Sequence, residues 1–219
     1  MEPHTYVIHL KHRKDRKKQF IDAWTNATLS TDHLHWFPAV LGTSLSDAKL
    51  ANFRTAARTR KARAGRVGCF CSHVAALERA VRLNHFPLLI LEDDAIPFSG
   101  TQPDIAALFD SAPPSANLLY FGALPVRERK PVKTFCRSRN GWSTPPSDIQ
   151  LYGGHAYGFP SVEAGASVLS FLKENKMTFD SALIRYTKEN RSHVAVHCPF
   201  IFHQSEGYSD IEATTRPPR

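Results

Sequence analysis

Apolar residues in this chain come in short dense runs, separated by segments where they recur every three or four positions. The first dense run, Tyr6–Leu10, reads as a short buried strand. A basic turn follows, then a helix from Asp15 to Thr25, and His35–Val40 reads as a second strand. Ser46 is placed to cap a polar helix that carries Leu50, Phe53 and Ala57 on one side. From Phe70 to Leu83 the apolar residues Phe70, Val74, Leu77 and Val81 trace one face of an amphipathic helix. Leu88–Leu91 is wholly apolar, the composition of a strand covered on both faces inside a parallel sheet.

The alternation continues with a helix over Pro103–Phe109 and an apolar strand at Leu118–Gly122. Strands alternating with helices predict an α/β fold, a sheet packed between helices. Residues 125–150 break the pattern with Pro, Arg, Ser and Gly, and predict a long loop or a short hairpin. Beyond them come a helix over Val162–Leu172, a helix from Asp180 and a strand over Val194–Phe202. The 219 residues suit one domain, expected over 1–212, with residues 213–219 as a disordered tail.

Composition narrows the class. A hydrophobic share of 42% is that of a soluble globular chain, and no apolar run approaches the roughly 20 residues of a membrane span. Met1-Glu2-Pro3-His4 lacks the basic-then-apolar layout of a signal peptide, so a cytoplasmic protein is expected. Cys69, Cys71, Cys136 and Cys198 are too few and too scattered for a disulfide scaffold, and predict buried reduced thiols. Residues 1–66 hold 13 Lys/Arg against 5 Asp/Glu, and the remainder holds 15 of each. That basic third suits anionic partners, whether phosphates, an anionic membrane surface touched peripherally or nucleic acid, or simply forms solvated helix faces.

Three consecutive carboxylates, Glu92-Asp93-Asp94, end the most apolar strand. They read either as a solvated acidic turn or as a metal site. Adjacent like charges repel, and a hard divalent cation such as Mn²⁺ or Mg²⁺ turns that repulsion into binding. Ligands of open α/β sheets bind at the carboxyl ends of the strands, which favours the second reading. Carboxylates here and basic residues upstream suit a nucleoside diphosphate bridged through a metal. Neither a P-loop nor a Gly-x-Gly-x-x-Gly fingerprint is present. Gly153-Gly154-His155-Ala156-Tyr157 suits close backbone approach to a ligand, or a plain strand entry. Asp180 reads as a helix N-cap or a general base, and His203-Gln204 with Ser209-Asp210 forms a late polar group.

Taken in order, several segments resemble glycosyltransferase family 25, the family of bacterial lipooligosaccharide galactosyltransferases and of collagen galactosyltransferases. They are Val7–Leu10 leading into Arg13–Arg16, then Gly65–His73, Leu89–Asp94, His155–Tyr157, Asp180, and Gln204 through Ser209–Ile211. The resemblance implies a GT-A type fold and inverting transfer of a hexose, galactose first, from a UDP-sugar to a glycan or glycolipid in lipopolysaccharide core synthesis. It implies Mn²⁺ held by Asp94 and Glu92, with Asp93 between them on the opposite side of an extended chain, and His203 completing the shell. Leu10, Arg13, Arg16, Ser72, His73, Glu92 and Asp93 are then expected around the donor, and Asp180 as the base. Gly154, His155, Tyr157, Gln204, Ser209 and Asp210 are expected along the acceptor cleft. The chain departs from the family pattern at Arg66, where an acid is usual, and at His9-Leu10, where asparagine-leucine is usual. A nucleic-acid partner is not expected, because aromatic residues do not interleave with the basic clusters. The competing readings are a basic nucleic-acid-binding protein and an inactive scaffold.

Overall fold

The computed structural model describes residues 1–136 and 139–205, and residues 207–209 and 214–216 as backbone strands. In chain order the elements are β1 (His4–His9), α1 (Lys14–Asn26), β2 (Leu34–Pro38), α2 (Asp47–Ala51), α3 (Arg60–Leu83), β3 (Leu88–Glu92) and β4 (Ala95–Pro97). They continue with α4 (Ile105–Asp110), β5 (Leu118–Arg127), β6 (Lys130–Pro131), β7 (Gly141–Ser143), β8 (Gln150–Phe159), α5 (Val162–Glu174) and α6 (Phe179–Glu189). β9 (Val194–Cys198), β10 (Phe202–Gln204), β11 (Gly207–Ser209) and β12 (Thr214–Arg216) complete the chain.

The central sheet runs β2-β1-β3-β8-β5-β9-β7, with β6 paired to the extension of β5. β2, β1 and β3 are mutually parallel, β8 runs against β3 and β5, β9 is parallel to β5, and β7 is antiparallel to β9. The dense apolar runs are strands buried on both faces. Tyr6, Ile8, Leu88 and Ile90 enter the core under α3, α5 and α6, whereas Val7, Leu89 and Leu91 enter a second core with Phe20, Trp24 and Phe109. Alternate residues of one strand serve opposite layers, so a uniform apolar run is what a three-layer fold requires. The mixed α/β architecture matches the fold class expected from sequence.

Three expectations are corrected. α3 begins at Arg60 rather than near Phe70, with Thr59 capping it through the Ala62 N–H. Gly68 sits inside this helix because its neighbour comes too close for a side chain: a Cβ there would lie 2.8 Å from the Gly42 backbone. α2, capped by Ser46, ends at Ala51, short of Phe53 and Ala57. Cys136 and Cys198 are joined in a disulfide with Cα atoms 5.2 Å apart, so these two are not reduced thiols, whereas Cys69 and Cys71 are half-buried thiols outside any disulfide. The pairing follows from topology: β7 lies against β9 with Gly141 opposite Cys198, folding the 125–150 segment back over the sheet. Within the tail expected to be disordered, Thr214–Arg216 pairs with Gly207–Ser209 as a strand.

Candidate active site

The carboxyl ends of β1 and β3, the first half of α3 and the loop after β2 line a cleft of about 140 Å³. Its walls include Leu10, Arg16, the Ala39–Thr43 loop, Lys61, Gly65, Ser72 and His73, and Glu92, Asp93 and Asp94 form its floor. The loop stays in place through Gly42 against Gly68 and through Ser72. The Ser72 hydroxyl donates to the Gly68 carbonyl (2.7 Å) and accepts the Val40 N–H (2.8 Å). Ser72, expected at the donor, therefore acts by holding the wall.

The three carboxylates do not alternate along an extended strand. β3 stops at Glu92, and residues 93 and 94 form a turn that brings Asp93 and Asp94 to one cation. Arg16 Nη1 donates to Asp93 Oδ1 at 2.7 Å and stands 3.1 Å from Asp94 Oδ2. The other Asp93 oxygen is 2.8 Å from His9 Nδ1. Burial works against the Arg16 charge, but Asp94 and Asp93 more than offset it and raise its pKa. Asp93 is thus a buried anchor for Arg16 and His9, and the side-chain alternation expected for it is corrected by the turn. Arg13 does not line the cleft. It grips Asp15 in the first turn of α1, and the guanidinium holds that carboxyl down at about 2.

Glu92 marks the border of a second space. Glu92 and Cys69 line both the cleft and a larger trough of about 930 Å³ that includes Arg66, Val132, Gly154, Asp180, His203 and Gln204. Near its carboxylate lie His73 Nε2 at 3.3 Å, Gln204 Nε2 at 3.5 Å and Cys69 Sγ at 3.9 Å. His73 is held in turn by the Tyr157 hydroxyl on Nδ1 (2.8 Å) and by the Phe179 ring stacked on it at 3.9 Å. Tyr157 is therefore buried support rather than an acceptor contact, and burial raises its hydroxyl pKa.

Asp180 lies in the first turn of α6, where the helix dipole favours an anion, but Thr178 holds the N-cap position. Asp180 Oδ1 instead accepts the Gly154 N–H at 3.0 Å. Gly154 lets this happen, since a Cβ there would meet the Phe179 ring at 2.5 Å. His155 is 1% exposed and neither ring nitrogen makes a hydrogen bond of good geometry. Burial lowers its pKa to about 4, so at pH 7 it is a neutral core residue beside the trough. His203 packs on Phe98 with its Nδ1 toward the Gln204 carbonyl, and it is Gln204 that reaches Glu92. Ser209 falls on β11 as backbone only, and Asp210 lies outside the described residues.

Sequence reading missed Cys69, Lys61 and the Ala39–Thr43 loop. The Gly42 and Gly68 pair, each glycine seated against backbone, was the available signal for the loop. Among the described residues two groups of His, Cys or carboxylate side chains lie close enough together that they could hold a metal ion, and one of them, Cys69, His73 and Glu92, is in this cleft.

A family model described as glycosyltransferase family 25 (LPS biosynthesis protein) matches residues 2–127. Two relatives, each named "Glycosyltransferase 25 family member", are similar over shorter stretches. The Anopheles gambiae protein is 36% identical over 99 residues, 42% of this chain and 16% of its own. The Aedes aegypti protein is 30% identical over 135 residues, 57% of this chain and 22% of its own. The chain thus spans roughly a fifth or less of the length of these relatives. A solved structure titled "crystal structure of a glycosyltransferase involved in the glycosylation of the major capsid of PBCV-1" overlays with a TM-score of 0.40 at 12% identity. The overlay covers 90% of this chain and 83% of that one.

Proposed function

Because this chain belongs to glycosyltransferase family 25, we propose that it moves a hexose from a UDP-sugar to a glycan hydroxyl, with inversion at the sugar carbon. The observation that carries the reading is Glu92 standing on the border of two adjoining clefts, lining both. A donor seated in the cleft would present its sugar at that border, and an acceptor laid along the trough would reach it there. Galactose is the sugar the family resemblance favours, and lipopolysaccharide core is the acceptor class.

The donor set suits a hard divalent cation. Glu92, Asp93 and Asp94 bring three carboxylates to one floor, and the Arg16 guanidinium spans Asp93 and Asp94. Carboxylate oxygens are the preferred ligands of Mn²⁺ and Mg²⁺, so Glu92 and Asp94 are the residues that would hold one. A bound ion would supply positive charge against the departing UDP. The chain's own groups do the rest. His73 and Gln204 fix the Glu92 carboxylate, and Arg16 keeps Asp94 in the turn. Lys61, on the cleft wall, offers a cation to a diphosphate. Asp180, held by the Gly154 N–H, takes the proton of the acceptor hydroxyl as its oxygen attacks the sugar carbon and the bond to UDP breaks.

The Cys136–Cys198 bond is of the kind that persists in oxidising compartments, and it favours such a compartment over the reducing cytosol. No described helix is long and apolar enough to cross a membrane. The test is a panel of UDP-sugars with Mn²⁺, reading release of UDP with and without glycan acceptors. Turnover of one sugar over the others, abolished in Asp180→Asn, is the expected result. Absence of UDP release with every donor would overturn the reading.

A further inference from the structure

A group of histidines lies at the end of the sheet remote from the cleft. His4 opens β1, His35 lies on β2, and His85 follows α3. Strand register explains how the first two meet. Tyr6 stands opposite His35, and His4, two residues before Tyr6, shares its face of the sheet. α3 then ends at Asn84 in the left-handed region (φ 54°), which folds the chain back. The His85 N–H bonds the Ala80 carbonyl, and its ring stacks on His4 with centroids 4.0 Å apart. His4 Nδ1 is 3.2 Å from His35 Nε2, and the Tyr6 hydroxyl is 2.9 Å from His85 Nδ1. Each of the three rings offers a nitrogen within 4.8 Å of the other two.

We propose that His4, His35 and His85 form a binding site for Zn²⁺ or a similar transition-metal ion, separate from the catalytic cleft. Two nitrogens on one tetrahedral zinc, each at about 2.0–2.1 Å, are about 3.3–3.4 Å apart, close to the separation of His4 and His35. The rings are in the ligand form near neutral pH. Burial first, then the neighbouring histidines, lowers His4 to about 4, and burial and nearby cationic groups also lower His35 and His85. Tyr6 gives His85 an outer hydrogen-bond partner on one nitrogen, the arrangement that fixes which nitrogen faces a metal. Exposed His33 places its ring edge-on to His4, with centroids 5.0 Å apart. Arg79 lies within electrostatic reach of His35 and His85 and disfavours any cation there. The site therefore suits ions that bond strongly to imidazole and excludes Mg²⁺ and Mn²⁺. Capture requires His4 to turn out of its stack on His85, which its half-buried position permits.

A bound ion would tie the starts of β1 and β2 to the end of α3, three segments joined only by the fold. The six residues of β1 put roughly 17 Å between this group and the cleft, so the site stands or falls independently of sugar transfer.

The experiment is calorimetric titration of ZnCl₂ into the chelator-treated protein carrying Cys69→Ser, Glu92→Gln and Asp94→Asn, which strips the cleft of its thiolate and two of its carboxylates. One saturable equivalent is expected, with a rise in Tm. His35→Gln and His85→Gln should each weaken binding at least tenfold, whereas His193→Gln, at an exposed histidine elsewhere, should not. In the unmutated protein, ring NMR signals of His4, His35 and His85 should shift on adding Zn²⁺ and stay unmoved with Mg²⁺, a readout that does not depend on the variants folding. Absence of saturable binding, binding that survives both substitutions, or unshifted ring signals would overturn the proposal.

Discussion

At the scale of single residues, the site is a set of buried charges held by named partners. Arg16 is the keystone, because removing it leaves Asp93 and Asp94 adjacent, buried and deprived of their shared cation. Arg16→Met should cost about 3–5 kcal/mol of stability, measured by urea unfolding, whereas the exposed Arg60→Met should cost well under 1. His155 has its own signature in acid. Its folded pKa of about 4 lies below the ordinary value of 6.5, so the unfolded chain binds the proton more readily. Its contribution is therefore complete above pH 6.5 and is lost as pH falls toward 4, about 3 kcal/mol in all. Unfolding midpoints at pH 7, 5.5 and 4 should show this loss, and His155→Leu should flatten it. The acidic run and Asp180 were legible in the sequence as candidate chemistry. Their partners were not, because Arg16 and His9 reach Asp93 across about eighty positions, and the turn at 93–94 depends on where β3 stops.

At the scale of elements, close contacts do what side-chain patterns do not announce. α3 and the loop after β2 meet through Gly68 and Gly42, with no room for a methyl group. Gly68→Ala should push the loop off the helix, cost about 1–3 kcal/mol and weaken nucleotide binding at least tenfold. The apolar strands were readable because burial on both faces leaves a dense run. The first part of α3 was not, since Gly68 looks like a turn residue until the loop it admits is in place. The disulfide was hidden for a similar reason. Cys136 and Cys198 are 62 positions apart and meet only when β7 closes on β9. Cys136→Ser should lose up to about 4 kcal/mol by the loop-entropy relation and loosen the Val132–Cys136 wall of the trough. Differential hydrogen exchange across that segment measures the effect.

At the scale of the whole molecule, function follows from the sheet order. β1 and β3 are parallel neighbours and end side by side, so their carboxyl-end residues share one floor, the usual position for ligands in such sheets. β8 runs the other way beside β3, bringing Gly154 toward Asp180 and opening the trough on the far side of Glu92. The α/β class was readable from the alternation of runs, whereas the reversal of β8 was not, because local sequence does not encode strand direction. Titrating UDP calorimetrically into the protein, with Mn²⁺ and then with EDTA, tests the central claim most directly. The account predicts saturable binding that needs the metal and is lost in Asp94→Ala. Absence of UDP binding in either condition, or binding unchanged in Asp94→Ala, would contradict it.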